Sequence, residues 1–173
     1  MVESVTLTVA DAAKALELVD EGQLVRVPTR SEAETARFAE ALGRALGDGA
    51  VLALSGPLGA GKTAFVRGLA VGLGLPRGTP ITSPSYALVN TYNLPNGEVF
   101  YHADLYRLGD DPGELEALGF RDWLAEARCV AIEWAEQSAD ALEATDLMIV
   151  IEDHGPQERV LRLSRGPRAT AAQ

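Results

Sequence analysis

The chain has 173 residues, of which 47% are hydrophobic and 23% are charged, values typical of one soluble globular domain with its own core. Its formal net charge of −10 excludes nucleic-acid binding by this chain alone, because neutralising a phosphate backbone requires a basic face. The N-terminus is acidic and lacks a signal-peptide core, and no apolar stretch approaches the length of a membrane span. We therefore expect a cytoplasmic protein that makes no membrane contact.

Residues 1–28 predict a small extension that packs on the main domain. Residues 5–9 and 24–27 have the apolar content of short strands, and a helix capped by Asp11 is predicted between them over residues 11–19. We find no pattern of known chemistry in this extension.

The main domain, residues 29–165, is predicted to begin with a helix. Its capping box is formed either by Ser31 with Glu34 or by Thr29 with Glu32. Apolar residues at helical spacing follow, so one face of this helix should pack against the core.

Residues 56–63 match the phosphate-loop pattern G-x-x-x-x-G-K-[ST] at every fixed position. The apolar residues 50–54 predict a buried strand before the loop, and residues 64–73 predict a helix after it, which is the context the motif requires. The loop N–H groups and the helix N-terminus would surround phosphate oxygens, Lys62 would add a charge, and Thr63 would offer a hydroxyl to Mg²⁺. The motif therefore predicts binding of ATP or ADP with Mg²⁺. Its predicted nucleotide-binding residues are Gly56, Pro57, Leu58, Gly59, Ala60, Gly61, Lys62, Thr63 and Ala64.

A loop with three hydroxyl side chains follows this helix. Thr82, Ser83 and Ser85 either approach the outer phosphate as a nucleotide-sensing switch or form a simple turn next to a proline. Residues 88–92 and 99–101 then flank an Asn-Gly pair and predict a hairpin. The remaining predicted elements are a helix over residues 114–127, strands over 130–132, 147–151 and 159–163, and a disordered tail over 166–173.

Two carboxylates, Asp104 and Glu133, each stand at the end of an apolar run. In open α/β sheets ligands bind beyond the carboxyl ends of the strands, where the phosphate loop also lies. Mg²⁺ needs hard oxygen ligands, and attack on a γ-phosphate needs a group that positions the nucleophile, so both acids are candidate catalytic residues. His102 is expected to point to the opposite face from Asp104, and neither it nor His154 is assigned a role.

Two further residues near these strand ends can be explained by packing in the core. Trp134 is either a core residue or a stacking surface near the nucleotide. The single cysteine, Cys129, lies in an apolar run and is expected to be a buried strand residue, which leaves no disulfide and no cysteine metal cluster.

The alternation of strands and helices around the phosphate loop predicts an α/β fold. We expect a P-loop NTPase-like three-layer sandwich with a mixed, mostly parallel central sheet.

Five segments of the chain, taken in order, resemble the bacterial TsaE family, formerly YjeE. The resemblance covers roughly residues 29–164 and implies a small ATPase needed to make threonylcarbamoyladenosine in tRNA. The family usually has Thr where this chain has Ser85, but the hydroxyl is retained and so is the expected role. The five segments are the phosphate loop, Ser83-Pro84-Ser85-Tyr86, His102-Ala103-Asp104-Leu105-Tyr106-Arg107, Glu114-Leu115 with Leu118-Gly119, and Ile132-Glu133-Trp134.

The resemblance also implies roles for individual residues. Lys62 and the loop backbone would bind ATP phosphates, Thr63 and Glu133 would hold Mg²⁺, and Asp104 would activate or position water. The surroundings of Trp134 would change with the nucleotide. By the same resemblance the chain would not transfer the carbamoyl group itself but would bind a TsaB–TsaD heterodimer, through which tRNA is contacted indirectly.

Three other classes of protein also contain a phosphate loop and are considered as alternatives. A GTPase is excluded because neither lysine follows an asparagine, so the chain has no N-K-x-D motif. A small-molecule kinase with a P-loop is the main enzymatic alternative, although no arginine-rich lid is evident. A binding module that senses ATP without turnover is the third, and the carboxylates argue against it only weakly.

Overall fold

A computed structural model describes residues 4–171, so the predictions made for residues 1–3 and 172–173 lie outside the described residues. The strands are β1 Ser4–Thr6, β2 Leu24–Thr29, β3 Ala50–Ser55, β4 Val89–Asn93, β5 Val99–Asp104, β6 Ala127–Glu133, β7 Leu147–Asp153 and β8 Arg159–Arg165. The helices are α1 Ala12–Asp20, α2 Glu32–Ala45, α3 Lys62–Gly72, α4 Glu114–Ala117, α5 Phe120–Glu126, α6 Ala139–Glu143 and α7 Pro167–Ala171, with a 3-10 turn at Ala135–Gln137. None of the helices within residues 4–171 is long and apolar enough to cross a membrane.

The strands form one sheet in the order β1-β2-β8-β7-β3-β6-β5-β4. The four central strands β7, β3, β6 and β5 run parallel to one another. Antiparallel pairs lie on both sides of this centre, formed by β4 with β5, β8 with β7, and β2 with β8. The predicted mixed, mostly parallel sheet is therefore confirmed.

Helices cover both faces of the sheet, which explains why its central strands are apolar on both sides. On β3, Leu52 and Leu54 are buried in a core cluster with residues of α1, α2 and α3. Their neighbours Val51 and Ala53 belong to a second cluster with residues of α4, α5 and α6. This arrangement is the three-layer α/β sandwich that the sequence predicts.

Helices α2 and α3 pack with their backbones in direct contact. A Cβ atom added to Gly68 would lie 2.1 Å from the carbonyl oxygen of Ala36, and one added to Gly72 would lie 2.1 Å from that of Glu40. Such a close approach is open only to glycine. Ser31 caps α2 by accepting a hydrogen bond from the N–H of Glu34 at 3.1 Å, so the first of the two capping alternatives is the correct one.

The N-terminal segment belongs to the same sheet, because β1 pairs with β2 and β2 with β8. Strand β1 is shorter than the five residues predicted for it. Asp11 precedes α1 but does not cap it, since its carboxylate accepts hydrogen bonds from the N–H and the hydroxyl of Thr8.

Two C-terminal elements differ from the prediction. The helix predicted over residues 114–127 is split into α4 and α5 at Gly119, whose φ of 87° is a left-handed conformation that favours glycine. Where the sequence predicts a disordered tail from residue 166, Pro167–Ala171 form α7. This helix is attached to the domain by the guanidinium of Arg168, which pairs with Asp146 and donates a 2.8 Å hydrogen bond to the carbonyl oxygen of Gly49. The backbone N–H of Arg168 also donates to the carbonyl oxygen of Thr145 at 3.0 Å.

Candidate active site

Three adjacent parallel strands, β3, β6 and β5, end at the same edge of the sheet. Leu54 is in register with Glu133, and Glu133 is in register with Asp104. Side chains alternate between the two faces of a strand, so Asp104 shares a face with Phe100, and Glu133 shares one with Ala131. Phe100 and Ala131 pack in the same core cluster as α3, so both carboxylates lie on the face of the sheet that α3 covers. The two carboxylates are therefore brought together on the side of the sheet from which α3 begins.

The phosphate loop connects β3 to α3 and encloses its own lysine. Lys62 begins the helix, two residues earlier than predicted, and its ammonium donates hydrogen bonds to the carbonyl oxygens of Gly56 at 2.7 Å and Pro57 at 3.1 Å. Gly61 has a φ of 101°, which lets the chain turn sharply into the helix. The N-terminal N–H groups of α3 and a buried cation therefore occupy the same end of the loop.

A cleft of about 570 Å³ lies over the N-terminus of α3. The predicted site residues Gly56, Pro57 and Ala60 do not line the cleft. Their carbonyl oxygens accept hydrogen bonds from Lys62 and Arg159. Ser83, one of the three hydroxyls offered as a nucleotide-sensing switch, also lines the cleft, and the residues of the lining to which the sequence assigns no role are Glu32, Arg67, Tyr106 and Arg107. Predicted site residues that line the cleft are Leu58, Gly59, Gly61, Lys62, Thr63, Ala64, Ser85, Asp104, Glu133 and Trp134.

Asp104 is held by one hydrogen bond on each carboxylate oxygen. Ser83 donates its hydroxyl to Oδ2 at 2.8 Å, and the N–H of Tyr106 is 3.0 Å from Oδ1. The loop with three hydroxyls therefore enters the cleft, where Ser83 contacts Asp104 and Ser85 lines the wall. The sequence named all three hydroxyls without indicating which would contact the acid.

Glu133 is paired with His102, a residue to which the sequence assigns no role. The Nε2 atom of His102 lies 2.8 Å from Oε1 of Glu133, and the ring is fully buried. The expectation that His102 points away from Asp104 is wrong, because residues two apart on a strand share a face. That alternation was the signal that would have found it. His154 is different, since it lies on the turn before β8 and contacts Glu152 at 3.1 Å.

Trp134 lies at the wall of the cleft in a rare backbone conformation. Its φ is 58°, a left-handed value that non-glycine residues seldom adopt outside constrained sites. The ammonium of Lys62 is 5.4 Å from the centroid of its ring, within the range of a cation–π interaction, and the ring of Tyr106 is 5.1 Å away. Through its indole, Trp134 therefore connects the end of β6 to the phosphate loop.

The side chains of the cleft fit the Mg²⁺ that the motif implies. The hydroxyl of Thr63 and the carboxylates of Asp104 and Glu133 are hard oxygen donors, which Mg²⁺ prefers. Within residues 4–171 no group of three or more His, Cys, Asp or Glu side chains is arranged to hold a metal alone, so phosphate and water oxygens would complete the coordination. Cys129 adds nothing to this site, because burial raises the pKa of its thiol to about 12.

Comparison with known proteins identifies the family. The model of the family described as Threonylcarbamoyl adenosine biosynthesis protein TsaE matches residues 29–161. The chain belongs to the TsaE family. The TsaE protein of Haemophilus influenzae is 41% identical over 117 residues, covering 67% of this chain and 72% of the relative. The TsaE protein of Aquifex aeolicus is 32% identical over 142 residues, covering 82% of this chain and 97% of the relative.

A solved structure confirms the P-loop NTPase-like fold. The crystal structure of Bacillus subtilis YdiB superposes with a TM-score of 0.64 and 29% sequence identity, covering 87% of this chain and 91% of that chain. Membership of the TsaE family gives the chain a role in the biosynthesis of threonylcarbamoyladenosine in tRNA. The phosphate loop and the fold of this TsaE-family chain are those of a nucleotide-binding protein.

Proposed function

We propose that this TsaE-family chain is a Mg²⁺-dependent ATPase that supports threonylcarbamoylation of adenosine in tRNA together with a TsaB–TsaD heterodimer. One observation carries the proposal: the cleft brings Lys62 and Thr63 of the phosphate loop together with Asp104 and Glu133 from two strand ends. The activity belongs to the proposed ATPase domain, residues 29–165, and because the pathway acts on tRNA we expect it in the cytoplasm.

The phosphate loop accounts for nucleotide binding. The N-terminus of α3 offers N–H groups and the positive end of a helix dipole to phosphate oxygens. Lys62 supplies a full positive charge beside them, and its low exposure keeps that charge from being screened by water. ATP or ADP is the proposed ligand, with Ser85 and Trp134 at the wall of the same cleft.

The two acids divide the chemical work. Mg²⁺, when bound, would neutralise charge on the outer phosphates. Thr63 and Glu133 are the proposed ligands that hold it. Asp104 orients the attacking water, and its own orientation is fixed by Ser83 and by the N–H of Tyr106. A positioned carboxylate lowers the barrier by aligning the nucleophile rather than by binding the ground state more tightly.

The rim of the cleft offers a surface for a protein partner. Leu58 and Tyr86 are 85% and 86% exposed, which is unusual for large apolar side chains, and Leu58 lies on the phosphate loop itself. We propose that TsaB–TsaD docks near this rim. The net charge of −10 supports contact with tRNA through those partners rather than by this chain.

The test measures ATP consumption by the chain alone, with the matching TsaB–TsaD pair, and with candidate small acceptors. We expect slow hydrolysis by the chain alone and faster turnover with the pair. Co-purification with TsaB and TsaD is measured in parallel, with ATP, with ADP and without nucleotide. No association under any of these conditions, together with efficient phosphorylation of a small molecule, would establish the small-molecule kinase instead.

A further inference from the structure

His102 is a fully buried side chain whose single hydrogen bond goes to the active-site carboxylate. Its Nε2 lies 2.8 Å from Oε1 of Glu133, while Nδ1 has no hydrogen-bond partner within residues 4–171. A metal-binding carboxylate can only accept hydrogen bonds, so the ring nitrogen that faces Oε1 of Glu133 has to be the donor. The ring proton therefore belongs on Nε2, and His102 donates it to Glu133.

The contact between His102 and Glu133 follows from the register of strands β5 and β6. Asp104 is opposite Glu133 in the parallel pair of β5 and β6, and His102 is opposite Ala131. The small side chain of Ala131 leaves room for the imidazole to lie diagonally toward Glu133 on the same face of the sheet. An apolar residue at position 102 would fill this space without burying a polar ring, so packing alone does not explain the histidine.

We infer that His102 is a positioning residue that fixes the carboxylate of Glu133 for metal binding. The imidazole engages Oε1, whereas no side chain or backbone N–H of residues 4–171 donates a hydrogen bond to Oε2. Glu133 lines the cleft, so Oε2 is the oxygen left to bind a metal there. The inference rests on the proposed function, because it assumes that Glu133 is a Mg²⁺ ligand. Partners that orient a metal ligand typically raise metal affinity by about 10- to 100-fold.

Three substitutions at position 102 separate hydrogen bonding from packing. His102→Gln places an amide N–H near the position of Nε2, whereas the amide of His102→Asn is one carbon shorter and falls near Nδ1. The two variants therefore carry the same chemical group, and only the first reaches Glu133. His102→Leu removes the donor altogether, and thermal unfolding of each variant verifies that it is folded.

The measurement is calorimetric titration of ADP at a series of MgCl₂ concentrations and in EDTA. For His102→Asn and His102→Leu we expect the half-saturating Mg²⁺ concentration to rise at least about tenfold, with ADP affinity in EDTA unchanged. His102→Gln should stay within about threefold of the wild type, because it keeps the donor. A purely structural role would lower ADP affinity in EDTA as well.

If the Gln and Asn variants behave alike, whether both match the wild type or both lose Mg²⁺ affinity, His102 does not position Glu133. The proposed ATPase function would be unaffected by that result. If His102→Leu does not fold, the Gln and Asn pair still decides the question. A wild-type chain that binds ADP without any Mg²⁺ dependence would remove the proposed function first, and the inference with it.

Discussion

Arg159 donates a hydrogen bond from Nε to the carbonyl oxygen of Ala60, 3.0 Å away in the phosphate loop. The same guanidinium donates through another nitrogen to the carbonyl oxygen of Gly155 at 2.7 Å. Strand β8 lies far from the loop in sequence, yet one side chain connects the turn before β8 to the loop backbone. The shape of the phosphate loop therefore depends on a residue outside the motif.

Replacing Arg159 by alanine should weaken nucleotide binding. A hydrogen bond to a charged group is worth about 1.5–3 kcal/mol, and partial exposure reduces this, so we expect ADP affinity to fall by roughly tenfold. Calorimetric titration of ADP measures the effect. Arg162→Ala is the matched control, because Arg162 lies on the same strand but pairs with Glu152 at 2.9 Å. Equal affinities of the two variants would show that the loop holds its shape unaided.

The chain contains two lysines, which makes Lys62→Ala a clean test of the phosphate loop. Removing the ammonium deletes a desolvated charge that faces the phosphates, so we expect roughly a 10- to 100-fold loss of ADP affinity in a folded protein. Lys14→Ala is the control, since Lys14 is exposed on α1 and pairs with Glu17 at 3.0 Å. Unchanged ADP affinity in folded Lys62→Ala would disprove the assignment of the loop.

Substitution of the two acids should give different kinetic results. Glu133→Gln is expected to weaken the Mg²⁺ dependence of nucleotide binding by about tenfold or more, because it removes a charged ligand. Asp104→Asn should leave binding nearly intact and lower kcat by roughly 100-fold or more, since it acts mainly in the transition state. Titrating Mg²⁺ and measuring turnover for both variants checks this division. The same loss of metal-dependent binding in both would mean that the acids share the metal.

Gly68→Ala tests the contact between α2 and α3. Alanine gains about 1 kcal/mol over glycine in an unconstrained helix. That gain is outweighed here, because the new Cβ would lie 2.1 Å from the carbonyl oxygen of Ala36, and overpacking typically costs about 1–3 kcal/mol. We expect the free energy of unfolding in urea to fall by about 1–2 kcal/mol. Gly47→Ala is the control, since a Cβ there meets nothing within 4 Å.

The parts of the site that the sequence predicts are those governed by local rules. The phosphate loop needs only its own residues and the strand and helix beside it. Asp104 and Glu133 follow from the rule that ligands bind beyond the carboxyl ends of parallel strands. The face occupied by His102 is also a local matter, because side-chain alternation along β5 places it on the same face as Asp104. Its contact with Glu133 requires in addition that β5 lies beside β6 in the observed register.

The contacts that the sequence does not predict join residues far apart in the chain. The hydroxyl of Ser83 reaches Asp104 because the loop after α3 folds over the ends of the strands. Arg159 reaches Ala60 only because β8 pairs antiparallel with β7. Helix α7 contacts the domain through polar groups, among them Arg168 with Asp146, and no hydrophobic pattern in the sequence indicates these contacts. Each depends on strand order and register, which local periodicity does not encode.

The direct contact between the backbones of α2 and α3 limits how this protein can move. Shear motions slide packed helices over one another, and at Gly68 and Gly72 the two backbones approach so closely that a small displacement would bring atoms into overlap. The two helices therefore form a rigid base beneath the cleft. If the chain cycles between nucleotide states as proposed, we expect the differences in the loops at the rim of the cleft, where Tyr86 projects into solvent. A partner protein that contacts this rim would detect the nucleotide without any displacement of the helices.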